Sequence, residues 1–131
     1  MGILGGLFGN KKNNEGQERK TVPWIPLESL IQLEEIETKS KATPQVIFKH
    51  STTCGISRMV LNMFTSAYDL EANQMDFYFL DLHAHRAMSN AVAEKFQVMH
   101  QSPQLMIIKN GVVVAHDSHG AISELELGRY I

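Results

Sequence analysis

The chain has 131 residues, 44% of them hydrophobic, and its 12 basic and 14 acidic side chains leave a formal net charge of −2. This length suits one domain with a core of ordinary size, and the balanced charge argues against a nucleic-acid partner. The single cysteine cannot form an internal disulfide, which favours a reducing cytoplasm. The N-terminal MGILGGLFG is too short and glycine-rich for a membrane span, so we expect no membrane partner.

The first part of the chain is predicted to contain a tail followed by a helix. Residues 1–20 lack a hydrophobic period, so we expect a disordered tail before a domain at residues 22–131. A short strand around Trp24 is compatible with the pattern. The segment PLESLIQLEEIETKS then predicts a helix with Pro26 in its first turn and with apolar residues at helical spacing, namely Leu27, Leu30 and Ile31.

The centre of the chain predicts a strand that runs into an amphipathic helix. QVIFKH, at residues 45–50, is rich in β-branched and aromatic residues, as strands are. From Ile56 onward the apolar residues recur every three or four positions as far as Ala67, which indicates a helix. Methionines fill irregular gaps in cores, so Met59 and Met63 are interpreted as core residues.

The second half of the chain predicts an alternation of strands and helices and then a β-hairpin. MDFYFLDL is hydrophobic enough for a strand covered on both faces, and RAMSNAVAEKF indicates a third helix. PQLMIIKNGVVVAHD predicts two strands joined by a two-residue turn at Asn110 and Gly111, and a last amphipathic helix is expected at Ile122–Tyr130. The order predicts an α/β fold with a mixed central sheet, helices on both faces, and a C-terminal β-hairpin plus helix.

Cys54 lies where the strand at residues 45–50 gives way to the helix. Unpaired N–H groups and the helix dipole stabilise a thiolate at such a position, which lowers the thiol pKa and makes the sulfur nucleophilic. Ser57, one turn further on, can donate a hydrogen bond to this thiolate. Serine occupies the place of the second cysteine in a C-x-x-C motif, so an adduct on Cys54 meets no internal thiol. A buried structural cysteine and an ordinary first-turn serine remain the alternatives.

The segment HQSPQ precedes the strand of the predicted hairpin. Proline is tolerated at the start of a strand, which is where Pro103 would lie. A cis Ser102–Pro103 bond would turn the chain sharply and leave the backbone of Ser102 free to pair with a peptide or a thiol cofactor.

Three segments, WIPL, FKHSTTCGISRMVL and VMHQSPQLMIIKNGVVVAHDSHGAI, resemble the monothiol bacilliredoxins, thioredoxin-like proteins with the usual signature T-C-P-I-S. The resemblance implies a thioredoxin fold in which Cys54 accepts bacillithiol from S-bacillithiolated client proteins and Pro103 is a cis-proline opposite it. Thr53, Gly55 and Ser102 would then flank the bound thiol. Gly55 departs from the family's proline, and its greater conformational freedom would loosen the cysteine loop.

Bacillithiol carries malate carboxylates, so the resemblance also implies cationic groups near the sulfur. Arg58, Lys49 and Arg86 are candidates, although a solvated charge is the default interpretation of all three. His50 and His100 precede active-site elements and could steer a carboxylate or shift the thiol pKa, although a surface histidine is the default interpretation of each.

A metal site is not expected. His83 and His85, together with His50 and Cys54, offer suitable ligand types, but their spacing is not that of a compact zinc site.

The function favoured by these features is thiol–disulfide exchange through a single cysteine. S-thiolated client proteins and a low-molecular-weight thiol, bacillithiol, would be the partners of a cytoplasmic monomer without a tightly bound cofactor. One alternative is a monothiol glutaredoxin with a 2Fe–2S cluster, since CGIS is close to C-G-F-S, although SPQ and SHGAI replace that family's T-V-P and G-G-x-D. The other is a non-catalytic thioredoxin-fold binding module.

Overall fold

A computed structural model of the chain describes residues 21–131, and the predicted disordered tail at residues 1–20 lies outside them. The described elements confirm the predicted alternation of strands and helices, including the short strand at Trp24. They follow one another as β1 (Trp24–Pro26), α1 (Leu30–Lys39), β2 (Gln45–His50), α2 (Gly55–Ala67), β3 (Asp76–Asp81), α3 (Arg86–Phe96), β4 (Gln104–Lys109), β5 (Val112–Ser118) and two 3₁₀ helices, His119–Glu124 and Leu127–Tyr130.

The five described strands form one mixed sheet in the order β1-β3-β2-β4-β5. Strand β3 runs parallel to both β1 and β2, whereas β4 runs antiparallel to β2 and to β5. Every residue of the central strand β2 is buried, because neighbouring strands cover its edges and helices cover its faces. In the register of this strand, Gln45 pairs with Asp76 of β3 and Lys49 pairs with Gln104 of β4.

Side chains alternate across the sheet, so each face has its own core. Ile47 of β2 packs with α1 and α3 in a cluster whose helical members are Leu33, Ile36, Met88, Val92 and Phe96. Phe48, the next residue, packs on the opposite face with α2 in a cluster that includes Val60, Phe64, Phe77 and Ile122. Truncating a buried aromatic residue such as Phe48 to alanine typically costs about 3–5 kcal/mol. Helices therefore cover both faces of the sheet, as predicted.

Trp24 anchors β1 to the second of these cores. Its indole ring lies 5.4–6.1 Å from the rings of four phenylalanines, in edge-on or tilted geometry: Phe48, Phe64, Phe77 and Phe79. Aromatic pairs favour such arrangements over face-to-face stacking. This packing explains why three residues suffice for an edge strand.

The turn between β4 and β5 is the predicted two-residue hairpin. Asn110 and Gly111 have φ values of 54° and 82°, as a type I′ turn requires of both central residues. Both N–H groups are bound by Ser40 at the end of α1: Asn110 donates to its carbonyl oxygen at 2.9 Å and Gly111 donates to its hydroxyl at 2.8 Å. The hairpin is thereby tied to α1.

The prediction that Met59 and Met63 are core residues is wrong. They are 54% and 45% exposed, while the buried positions of α2 are Ser57, Val60 and Phe64. The apolar pattern of this helix is wider than the face that contacts the sheet, so its second apolar stripe faces outward.

Two smaller expectations also need correction. Pro26 is the last residue of β1 and does not lie in the first turn of α1, which starts at Leu30. The buried residues of this helix are Leu33 and Ile36, whereas Leu30 and Ile31 are each 64% exposed. The side chain of Gln32 accepts the N–H of Ser29 at 3.0 Å, a contact that belongs at a helix N-terminus.

The predicted C-terminal helix at Ile122–Tyr130 is instead a pair of 3₁₀ helices. Leu125 between them has extended backbone angles, with φ −72° and ψ 128°. Short 3₁₀ turns let Ile122, Leu125 and Leu127 each reach the α2 side of the core, which one continuous helix would not allow.

Candidate active site

Cys54 occupies the N-cap of α2, directly after the loop that leaves β2. Its φ of −104° and ψ of 121° are extended, and its carbonyl oxygen accepts the N–H of Arg58 at 3.2 Å as the first bond of the helix. The Cys54 N–H donates to the carbonyl of Ser51 at 3.3 Å, which holds the loop closed. The side chain is half-buried, so the sulfur remains accessible.

The helix terminus lowers the pKa of the Cys54 thiol below its ordinary value. The largest cause is the main-chain N–H of Ser57, and partial desolvation opposes it; the N–H of Ile56, the Ser57 hydroxyl and the positive charge of Arg58 lower the pKa further. The sequence-based expectation of a lowered pKa therefore has a structural cause.

Ser57 is fully buried beneath this loop. Its hydroxyl oxygen accepts the N–H of Ser51 at 3.4 Å, which leaves its single hydrogen available for the Cys54 thiolate. The same contact ties the start of the loop to the first turn of α2. Ser57 thus links loop geometry to the charge state of the sulfur.

The Ser102–Pro103 peptide bond is cis, and Pro103 is buried immediately before β4. Lys49 pairs with Gln104, so Pro103 lies beside His50 at the end of β2 from which the cysteine loop departs. The carbonyl of Pro103 accepts the N–H of His119 at 3.0 Å. Strand pairing therefore brings the predicted cysteine and proline segments to one edge of the sheet.

A family model for monothiol bacilliredoxin BrxC matches residues 25–127, which include the cysteine loop, the cis-proline and all five described strands apart from the first residue of β1. The chain belongs to the monothiol bacilliredoxin family. It is accordingly a thiol oxidoreductase of thioredoxin fold.

Solved structures agree with the bacilliredoxin fold. A proposed oxidoreductase with a thioredoxin fold is 33% identical, with 81% of this chain and 91% of that chain covered and a TM-score of 0.67. Thioredoxin from Malassezia sympodialis is 19% identical over 86% and 91% of the two chains, with a TM-score of 0.66. Spinach chloroplast thioredoxin f is 14% identical over 88% and 96%, with a TM-score of 0.59. The two thioredoxins support the fold alone.

In this bacilliredoxin-family chain, Thr53 is exposed, and its hydroxyl is hydrogen-bonded to the His83 ring. The Nε2 atom of His83 lies 3.1 Å from the Thr53 hydroxyl and 3.0 Å from the Ser51 hydroxyl. Sequence reasoning considered His83 only as a metal ligand and missed this contact. The available signal was that the parallel strands β2 and β3 end at the same edge of the sheet.

Gly55 and Arg58 lie on the exposed part of the first turn of α2. Gly55 is the first helical residue, and a Cβ atom there would meet nothing within 4 Å. The Arg58 guanidinium donates to the carbonyl of Thr52 at 3.5 Å. Its charge therefore lies over the cysteine loop.

His50 is buried, with 5% of its surface exposed, which contradicts the surface alternative. It lies on the same face of β2 as Phe48, with its ring 5.4 Å from that of Phe79, and its Nδ1 atom has no hydrogen-bond partner among residues 21–131. Burial lowers the pKa of His50, the carboxylate of Asp81 opposes this, and the charge of Arg58 adds to it. His50 is therefore held in its neutral form.

Lys49 is fully buried, so the expectation of a solvated charge is wrong. It lies on the opposite face of β2 from His50, where its ammonium is 3.4 Å from the carbonyl oxygen of Ser89 and 3.3 Å from His100 Nδ1. Desolvation lowers the pKa of Lys49 from 10.5 to about 8. The Nδ1 atom of the exposed His100 is also hydrogen-bonded to the Ser89 hydroxyl, at 3.0 Å.

A cavity of about 400 Å³ opens beside these groups and is called the Arg86 cavity here. It is lined by Ser51, Leu82, His83, Arg86, Ser89, Asn90, His100 and Ser102. Three of the candidate site residues, Ser102, Arg86 and His100, thus belong to one cavity at the cysteine edge of the sheet.

Within residues 21–131, no cluster of three or more His, Cys, Asp or Glu side chains is arranged to hold a metal ion. His85, one of the four candidate ligands, instead lies 3.7 Å from the carboxylate of Glu28. None of the helices in this part of the chain has the length and apolar character needed to cross a membrane.

Proposed function

We propose that the protein removes bacillithiol from S-bacillithiolated client proteins through a mixed disulfide on Cys54. The observation that carries the proposal is the placement of the only cysteine at an N-cap whose donors stabilise its thiolate, with the buried Ser57 in the place of a resolving cysteine. Membership of the monothiol bacilliredoxin family supports bacillithiol as the co-substrate.

In the first step, the Cys54 thiolate attacks the bacillithiol sulfur of a client mixed disulfide. A new disulfide forms between Cys54 and bacillithiol, the client disulfide breaks, and the client cysteine leaves as a thiolate. One disulfide replaces another, so no external oxidant or reductant is consumed. Stabilisation of the attacking thiolate raises its population at neutral pH.

The second step requires a thiol from outside the chain. A second bacillithiol thiolate attacks the bacillithiol sulfur of the adduct, which forms oxidised bacillithiol and releases Cys54 as a thiolate. Ser57 cannot perform this attack, because its hydroxyl is not a nucleophile for disulfides. The cycle therefore depends on the supply of the reduced low-molecular-weight thiol.

The residues around the sulfur are assigned supporting roles in this proposal. The main chain of Ser102, next to Pro103, pairs with the client backbone or the bound thiol, and Thr53 and Gly55 flank the adduct without crowding it. Arg58 stabilises negative charge at the sulfur.

His50 has a different role in the proposal, because it is buried as a neutral group on the α2 side of the sheet. It shapes the floor of the loop and adds no charge of its own to the site.

The proposed setting is a reducing cytoplasm, in which a monomer acts without a tightly bound cofactor and with neither a nucleic acid nor a membrane as partner. The single thiol and the net charge of −2 support this setting.

Intact mass spectrometry tests the proposal directly. A model protein carrying one S-bacillithiolated cysteine is incubated with the wild-type chain and, as the matched control, with Cys54→Ser. The expected result is transfer of the bacillithiol mass to the wild-type chain alone, followed by its loss on addition of reduced bacillithiol. Absence of transfer to Cys54 would refute the proposal.

A further inference from the structure

The Arg86 cavity has a distinctive charge. Its lining includes one arginine, two histidines, three serines and one asparagine, but no aspartate or glutamate. Of the ion pairs formed within residues 21–131, none involves Arg86. Its five N–H donors, in a planar fork, match the two oxygens of a carboxylate.

A buried cation lies directly behind this lining. Lys49 is fully buried and contacts two lining residues, Ser89 and His100, yet no carboxylate in the described part of the chain pairs with it. A buried charge is costly unless it is paired, so an unpaired ammonium beside a cavity points to a counterion that is not supplied by the protein. This observation is independent of the lining itself.

The contacts of His100 determine which of its nitrogens donates. The Lys49 ammonium can only donate, so His100 Nδ1 must accept at 3.3 Å, and the Ser89 hydroxyl can donate to the same atom. In the neutral ring, the proton is then carried by Nε2. Ser102 adds a buried hydroxyl oxygen without a hydrogen-bond partner among residues 21–131. The cavity therefore offers donors and no competing acceptor charge.

Two lining residues connect the cavity to the cysteine loop. Ser51 accepts the N–H of Cys54 at 3.3 Å, and Ser102 precedes Pro103 at the strand end beside the cysteine loop. With about 400 Å³, it has the size of a small-molecule pocket. A molecule bonded to Cys54 through sulfur would have its remaining polar groups beside this opening.

We propose that the Arg86 cavity binds the carboxylate end of the low-molecular-weight thiol whose sulfur is bonded to Cys54, with Arg86 and His100 as donors and Lys49 as the buried counter-charge. The inference rests on the proposed function, since it requires a small thiol on Cys54. Thr53, Gly55 and Arg58 do not line this cavity and are given no part in the inference. Arg86, Lys49 and His100 are thus substrate-specificity residues.

Two disulfides that differ in charge test the inference. Dithiodipropionate carries one carboxylate on each half, whereas bis(2-hydroxyethyl) disulfide is neutral, and both place the same type of sulfur on Cys54. The rate of adduct formation is measured for each by mass spectrometry, and their ratio is compared between variants. Because the same thiolate attacks both reagents, a change in Cys54 pKa cancels in the ratio.

Arg86→Gln and Lys49→Met are each expected to lower the ratio of the anionic to the neutral rate by about tenfold or more, as loss of one hydrogen bond to a charged group implies. Lys95→Gln is the matched control, because it removes a positive charge from the same helix, α3, where Lys95 instead pairs with Glu37 at 3.1 Å. It should leave the ratio unchanged. Thermal unfolding confirms that each variant is folded.

The outcomes separate the two proposals. A ratio unchanged by both Arg86→Gln and Lys49→Met, with adducts still forming on Cys54, would overturn the cavity assignment alone. An equal fall in all three variants would mean general charge attraction and would also overturn it. If neither disulfide forms an adduct with the wild-type chain, the proposed function is refuted, and the cavity assignment with it.

Discussion

Ser57 acts on Cys54 in two ways, through its main-chain N–H and through its hydroxyl, and both lower the pKa of the Cys54 thiol. The hydroxyl is held in place because it also accepts the N–H of Ser51 at 3.4 Å. A residue that could have been a resolving cysteine thus serves as a fixed donor to the thiolate. The chain retains a reactive sulfur without an internal route to release its adduct.

Replacing Ser57 with alanine should raise the pKa of the Cys54 thiol. The hydroxyl contribution is lost, whereas the larger contribution of the residue-57 N–H remains, so the rise should be modest and the thiol should stay more acidic than an ordinary cysteine. Ultraviolet absorbance of the thiolate, followed against pH, measures it. Ser66→Ala, at an exposed position of the same helix, is the control. An unchanged or lower pKa in Ser57→Ala would exclude the hydroxyl as a donor to the thiolate.

Replacing Ser57 with cysteine should shorten the lifetime of the Cys54 adduct. The new thiol completes a C-x-x-C motif one helical turn from the sulfur and can expel a bound thiol as an internal disulfide forms. Mass spectrometry of the purified adduct over time should show loss of the thiol mass in Ser57→Cys and persistence in the wild type. Equal lifetimes in the two proteins would show that residue 57 cannot reach the Cys54 sulfur for attack.

Replacing Gly55 with proline should stabilise the fold by about 0.4–1 kcal/mol. Gly55 is the first residue of α2, where proline is favoured, and a Cβ there meets nothing within 4 Å. Cys54 already has the extended conformation that proline requires of the residue before it. Denaturant unfolding measures the gain, with Gly55→Ala as the control for the added Cβ.

The same substitution should leave the acidity of Cys54 low, because the N–H groups that lower its pKa belong to Ser57 and Ile56 and not to Gly55. A loss of stability in Gly55→Pro, or a Cys54 pKa at the ordinary thiol value, would contradict this account of the first turn.

Replacing Lys49 with methionine should stabilise the protein most at neutral pH. The folded-state pKa of Lys49 is lowered from 10.5 to about 8, so the folded chain binds fewer protons than the unfolded chain between these values. The free energy of unfolding of the wild type should therefore rise with pH in this window. Below about pH 8, Lys49→Met should be more stable by on the order of 1–3 kcal/mol.

The measurement compares denaturant unfolding of the two proteins from about pH 7 to pH 10.5, both in a Cys54→Ser background so that the thiol does not titrate. The titratable and cationic groups near Lys49, His100 and Arg86, are present in both. The advantage of methionine should shrink as pH rises. A difference that is constant with pH, or that grows, would contradict a lowered Lys49 pKa.

Much of the fold could be predicted because it depends on local patterns. The strand at residues 45–50, the helix after Cys54 and the Asn110–Gly111 turn each follow from hydrophobic period or from permitted φ values. The exposed Met59 and Met63 could not be predicted, because a helix with apolar residues on two stripes does not reveal which one meets the sheet. The 3₁₀ helices at the C-terminus depend on contacts with α2, which an isolated amphipathic segment does not specify.

By itself, the sequence determined where the reactive group lies: one cysteine at a strand-to-helix junction, with serine three residues later, because caps and helix termini are local features. The tertiary structure alone decided what surrounds it. Pairing of β2 with β4 brings Pro103 beside the cysteine loop, and pairing with β3 brings His83 to Thr53. Burial of Lys49 follows from its position in the central strand. The local sequence predicts a solvated charge for a lysine at the end of an apolar run, and Lys49 is enclosed only when α3 packs over the sheet.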